Sequence, residues 1–121
     1  ARPDMALQPC RSNRGRDMAA YFIVDVDVTD QDTYQTYATQ VPPIIKQYGG
    51  RYLVRGGKTE VVEGDWRPSR LVVLQFDDTA AARRFYDSKE YQAITAFRQR
   101  AARTRMVLVE GYEEPHWEPP V

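Results

Sequence analysis

From Tyr21 to Val28 every second position is apolar: Phe22, Val24, Val26 and Val28, with Tyr21, Ile23, Asp25 and Asp27 between them. A period of two predicts a β-strand with one fully buried face. The other face is mixed, as suits a surface that lines a pocket or an interface. The period then changes. Tyr34, Tyr37, Ala38, Val41, Ile44, Ile45 and Tyr48 recur at helical spacing and form one apolar stripe. Thr29 or Asp30 is placed to cap this helix, and Asp32 falls at the positive end of its dipole. Pro42-Pro43 interrupts the stripe and predicts a kink or two helical pieces, before Gly49-Gly50 supplies a left-handed stop.

Two short β-prone runs follow, Arg51 to Gly56 and Thr59 to Gly64, around Gly56-Gly57. They predict a hairpin or a strand that turns sharply at the glycine pair. Leu71 to Phe76 is nearly all apolar and predicts a central strand. Asp78 or Thr79 caps a second helical region through Ala82, Phe85 and Tyr86. Asp87-Ser88 breaks it and gives a fresh N-cap, after which Tyr91, Ile94, Phe97, Arg98 and Ala101 continue a largely apolar helical face. A last strand is predicted over Met106 to Tyr112.

This order is the split β-α-β arrangement of ferredoxin-like α+β folds, in which both helices cover one face of an antiparallel sheet. The second face, with Tyr21 and Ile23, is too apolar to stay in water as a large patch. Pairing two such faces across a two-fold axis removes the patch and encloses a cavity, so a homodimeric α–β barrel is expected. Residues 18–113 form the expected domain. Residues 1–17 are expected to be a flexible N-terminal arm or a cloning-derived extension, and 114–121 a Pro-rich tail.

Composition narrows the chemistry. The 121 residues are 42% hydrophobic and 28% charged with zero formal net charge, which lacks the basic excess of a nucleic-acid binder. No apolar run reaches the length of a membrane-spanning helix and no secretory signal is evident, so no membrane association and a cytoplasmic location are expected. Cys10 is the one cysteine and His116 the one histidine, which argues against a disulfide scaffold, a metal site and histidine-based triads.

The remaining candidates are charged or aromatic residues on apolar or glycine-rich segments. Arg55 and Arg70 could hold a carboxylate or enolate through forked hydrogen bonds. Tyr21, Trp66 and Tyr86 could wall a pocket of aromatic size. Asp25, Glu63 and Glu110 are the candidate proton acceptors, should burial raise one of them toward neutrality. Each also has a plain structural reading. Arg55 and Glu63 could pair across a hairpin, Trp66 could plug a loop or a dimer seam, and Ser88 is an N-cap without a base to activate it.

The run Y-G-G-R-Y-L-V-R-G-G (Tyr48 to Gly57), V-V-E-G-D-W-R-P-S-R (Val61 to Arg70), F-Y-D-S-K-E-Y-Q (Phe85 to Gln92), Arg98 and E-G-Y (Glu110 to Tyr112) together resemble domain-of-unknown-function family thirteen-thirty. The resemblance spans roughly Ala20 to Tyr112 and implies the dimeric α–β barrel group, whose members include cofactor-free oxygenases, isomerases and haem enzymes. It implies no particular reaction. Haem members need a proximal histidine that this core lacks, so no cofactor is expected. Two functions remain open. One is a dimeric module binding a small carbonyl, carboxylate or aromatic metabolite in a pocket on the sheet face. The other is a cofactor-independent enzyme working by proton transfer, as an isomerase or monooxygenase does. A structural or protein-interaction module is a third possibility.

Overall fold

The computed structural model describes residues 18–112. The expected arm and tail, with Cys10 and His116, lie outside the described residues. The elements are β1 (Ala20–Val28), α1 (Gln31–Gln47), β2 (Arg51–Arg55), β3 (Leu71–Phe76), α2 (Thr79–Tyr86), α3 (Lys89–Ala101) and β4 (Ala102–Glu110). They form a four-stranded sheet in the order β2-β3-β1-β4, antiparallel at every pairing. This is the ferredoxin-like α+β fold that the periodicity predicts.

Register explains why one face is buried. Phe22 opposes Leu74 and Leu108, and Val24 opposes Val72 and Met106, so apolar side chains meet across three strands on the helix side. Tyr34, Tyr37, Val41 and Ile45 of α1 close over them, together with Phe85 of α2 and Tyr91 and Ile94 of α3. An aromatic cluster binds these layers: Phe22 meets Phe76 edge-on at 5.9 Å, and Phe85 lies 4.6 Å from Tyr91. Asp30, Asp78 and Ser88 each accept a backbone N–H at a helix start. After α1, the Gly50 N–H returns to the Ile45 carbonyl with Gly49 at φ 82°.

Three details differ from the sequence expectation. Pro42-Pro43 does not divide α1, which runs unbroken from 31 to 47. Buried Val41 and Ile45 hold the segment to the core on either side of the pair, and that packing offsets the two missing N–H donors. The second arm of the hairpin does not form. β2 ends at Arg55, Gly56 turns at φ 72°, and no strand occurs between 56 and 70. The run around Val62 finds no partner strand, and Val62 itself is 90% exposed. Finally, β4 begins at Ala102, directly from the end of α3.

The opposite face carries Tyr21, Ile23 and Asp25 of β1, Leu71 and Val73 of β3, and Arg105, Val107 and Val109 of β4. Val107 is 59% exposed and Val109 43%. The apolar second face foreseen from alternation is therefore present.

Candidate functional site

Between the helices and the sheet lies a cavity of about 50 Å³, lined by aromatic and aliphatic side chains and by three arginines, Arg55, Arg70 and Arg98. Space of this size holds about three waters or one carboxylate group.

Arg98 comes from the buried face of α3, two turns after Tyr91, and is only 6% exposed. Its guanidinium carbon sits 5.9 Å from the centre of the Tyr37 ring. The Tyr37 and Tyr91 hydroxyls meet at 2.9 Å and join α1 to α3. Burial pushes Tyr37 well above the ordinary phenol range, the Tyr91 hydroxyl adds to this, and Arg98 opposes it. Tyr37 is therefore a neutral hydroxyl at physiological pH. Burial by itself lowers the proton affinity of Arg98, but the oxygens of Tyr91 and Tyr37 outweigh it and hold the guanidinium charged. Its Nε has no partner, and no carboxylate pairs with it among the described residues.

The other two arginines mark the rim. Exposed Arg55 lies over the Tyr52 ring at 4.6 Å. Burial raises Tyr52, partly countered by Arg55 and Arg70. Arg70 enters just before β3, and its buried Nε is also without a partner. Its guanidinium rests against Gly56, where a Cβ would collide with the Arg70 nitrogens. Gly56 thus serves twice, turning the chain at positive φ and leaving room for Arg70.

Of the residues singled out from sequence, Arg55 and Arg70 share this interior cavity. Asp25 and Trp66 meet on the opposite face. The Asp25 carboxylate accepts from the Trp66 indole N–H at 2.9 Å, from the Ser69 backbone N–H at 3.1 Å and from Arg105 at 3.1 Å. The Trp66 bond is the largest influence on Asp25 and, with Ser69 and Arg105, outweighs desolvation and lowers its pKa. The group ties the 56–70 loop to the sheet beside an open groove of about 560 Å³. Glu63 is exposed on that loop and Glu110 is exposed at the end of β4. None of the three acids lines the interior cavity. Tyr21 stands on the open face against Gly111. Tyr86 packs on Tyr91 at 5.4 Å and borders a second groove of about 400 Å³, shared with Arg98 and Thr104.

Arg98, Tyr37 and Tyr91 were not among the sequence candidates. Arg98 nevertheless left a signal there, as a charged residue on the apolar stripe of a helix. No cluster of three or more metal-ligating side chains occurs among the described residues. Nor is any described helix long and apolar enough to cross a membrane.

Residues 19–112 match the model of a family described as a domain of unknown function, DUF1330. The chain belongs to this family. No curated protein matches it significantly. Among solved structures, this DUF1330 chain is similar to a protein of unknown function from Rhodopseudomonas palustris, with 16% identity, a TM-score of 0.67, and coverage of 82% of this chain and 86% of that one. It is also similar to SnoaB, a cofactor-independent oxygenase from Streptomyces nogalater (12% identity, TM-score 0.54, 80% and 96% covered). A conserved protein of unknown function from Bacteroides thetaiotaomicron, described as a possible oxidoreductase, resembles it at 10% identity and TM-score 0.54 (78% and 99% covered). At these identities the likeness is one of fold.

Proposed function

We propose that this DUF1330 chain is a homodimer whose subunits each bind a small carboxylate- or enolate-bearing metabolite in the cavity between helices and sheet. The observation that carries this reading is Arg98. An arginine with only 6% of its surface exposed, an unpartnered buried Nε and no carboxylate beside it among the described residues is costly to keep in the core. An anionic ligand offsets that cost through a planar, two-point hydrogen bond. Arg55 and Arg70 add positive potential at the rim.

The dimer rests on the open sheet face, where exposed Val107 and Val109 stand beside half-buried Ile23 and Val73. Two copies placed face to face bury this patch.

Binding is favoured over proton abstraction. Asp25, Glu63 and Glu110 stand outside the cavity, and Asp25 is held ionised by its three donors. The side chains that line the cavity offer tyrosine hydroxyls and arginines rather than a carboxylate or imidazole base, and burial holds the Tyr37 hydroxyl protonated.

The test is calorimetric titration of the purified protein with a panel of short carboxylates, beside Arg98→Gln. Saturable binding that Arg98→Gln abolishes is expected. Equal affinity in the two proteins would remove Arg98 from the account, and with it the proposal.

A further inference from the structure

We infer that the ligand of the interior cavity is a short dianion carrying two separate acidic groups; this rests on the reading of that cavity as an anion site. Three arginines line a single small space, and none has a carboxylate partner among the described residues. One carboxylate can take the two-point fork of Arg98, but it leaves Arg55 and Arg70 uncompensated.

The two ends of the cavity differ in the way such a ligand requires. Arg98 is only 6% exposed, so the group it receives loses most of its water. Arg55 is exposed and Arg70 half-buried, so the second group stays near solvent. Arg70 is also held ready. Its Nε lacks a partner, and glycine at position 56 is what permits its guanidinium to lie where it does. The lining combines aliphatic Val24, Val72 and Leu74 with the rings of Tyr34, Tyr37 and Tyr52, which suits a ligand whose middle is short and mostly hydrocarbon. The interior volume of about 50 Å³ admits little beyond the first group and its neighbouring carbon. A dicarboxylate of roughly three to five carbons, with its first group on Arg98 and its second toward the rim, matches these two ends.

Paired titrations separate this inference from the reading beneath it. Malonate, succinate and glutarate are compared with their monomethyl esters, which keep the skeleton and lose one charge. At least one diacid is expected to bind about tenfold more tightly than its monoester, on the scale of one charge-assisted hydrogen-bond pair. Arg55→Gln and Arg70→Lys should weaken the diacid more than its monoester and shrink that ratio to about twofold or less. Arg55 is exposed, and lysine keeps the charge at 70, so neither variant threatens the fold. If every monoester binds as tightly as its diacid, the dianion inference falls and the anion site stands. If nothing in the panel binds and Arg98→Gln behaves as the parent does, both fall together.

Discussion

The Arg98 guanidinium lies over the ring of Tyr37, 5.9 Å from its centre, in the space where α1 and α3 close over the sheet. The Tyr37 hydroxyl is turned to Tyr91 at 2.9 Å. A cation is therefore held by an aromatic face with no carboxylate beside it among the described residues. A core built for stability alone gains little from that arrangement, because an apolar residue of similar length fills the same volume without desolvating a charge.

Arg98→Met is accordingly expected to preserve or raise stability while abolishing anion binding. A gain of about 1 kcal/mol moves the Tm of a domain this size up by about 4–8 °C. Thermal unfolding without ligand checks this. A drop of comparable size would show Arg98 to be a structural residue.

Tyr37→Phe and Tyr91→Phe remove the same hydrogen bond from opposite sides. Each is expected to cost about 1 kcal/mol by chemical denaturation, and the double variant less than the two together, because the second change leaves no hydroxyl stranded. Strict additivity would mean the two hydroxyls are energetically independent.

Gly56→Ala meets two obstacles, a φ of 72° and the Arg70 guanidinium. A loss of about 1–2 kcal/mol is expected, together with weakened dianion binding as Arg70 is displaced. Gly57→Ala is the control, since a Cβ there meets nothing within 4 Å. Similar behaviour of the two variants would remove the Gly56–Arg70 relationship from the account.

Asp25 gives a pH signature. Its pKa is lowered from 3.8 in the fold, first by the Trp66 bond and then by Ser69 and Arg105. Its contribution to stability is therefore complete above the unfolded-state value and is lost as pH falls through the lower folded value. Asp25→Asn should flatten the acid limb of the stability profile and leave the neutral region's slope unchanged. In NMR spectra the Trp66 indole N–H resonance should move over the same acidic interval. An acid limb unaltered by Asp25→Asn would contradict the assignment.

The open face supplies the oligomer prediction. Val107→Asp places a charge in the patch beside Ile23, on a side chain 59% exposed in the isolated subunit. It should turn a dimer into folded monomers by sedimentation velocity, with little change in circular dichroism. A dimer that survives the change would locate the interface elsewhere.

Much of the fold was legible because its patterns are local. Phe22, Val24 and Val26 declare the buried face of β1 by alternation, and Asp30, Asp78 and Ser88 mark the helix starts. The missing hairpin arm was not legible, because whether Thr59 to Gly64 pairs depends on a neighbour strand that local sequence cannot report. Arg55 and Arg70 stood out as cations beside glycine and turn residues, but the side of the sheet they occupy is not a local pattern. Bulge and register in β2 decide that. Tyr37 and Tyr91 read as helix-stripe packing, which they are; their hydroxyl contact needs α1 and α3 brought together. The acids misdirected attention for a related reason. Asp25 alternates with buried valines, yet alternation puts it on the opposite face, where its role is to hold Trp66 and the loop.

The most direct test of the central claim is an NMR titration that follows the Arg98 Nε–H signal while a short dicarboxylate is added to the ¹⁵N-labelled protein. The account predicts a saturable shift of that signal with coupled shifts at Tyr37 and Tyr91, and loss of the tyrosine shifts in Arg98→Lys. An Arg98 signal that stays fixed while the anion saturates some other part of the molecule would contradict it.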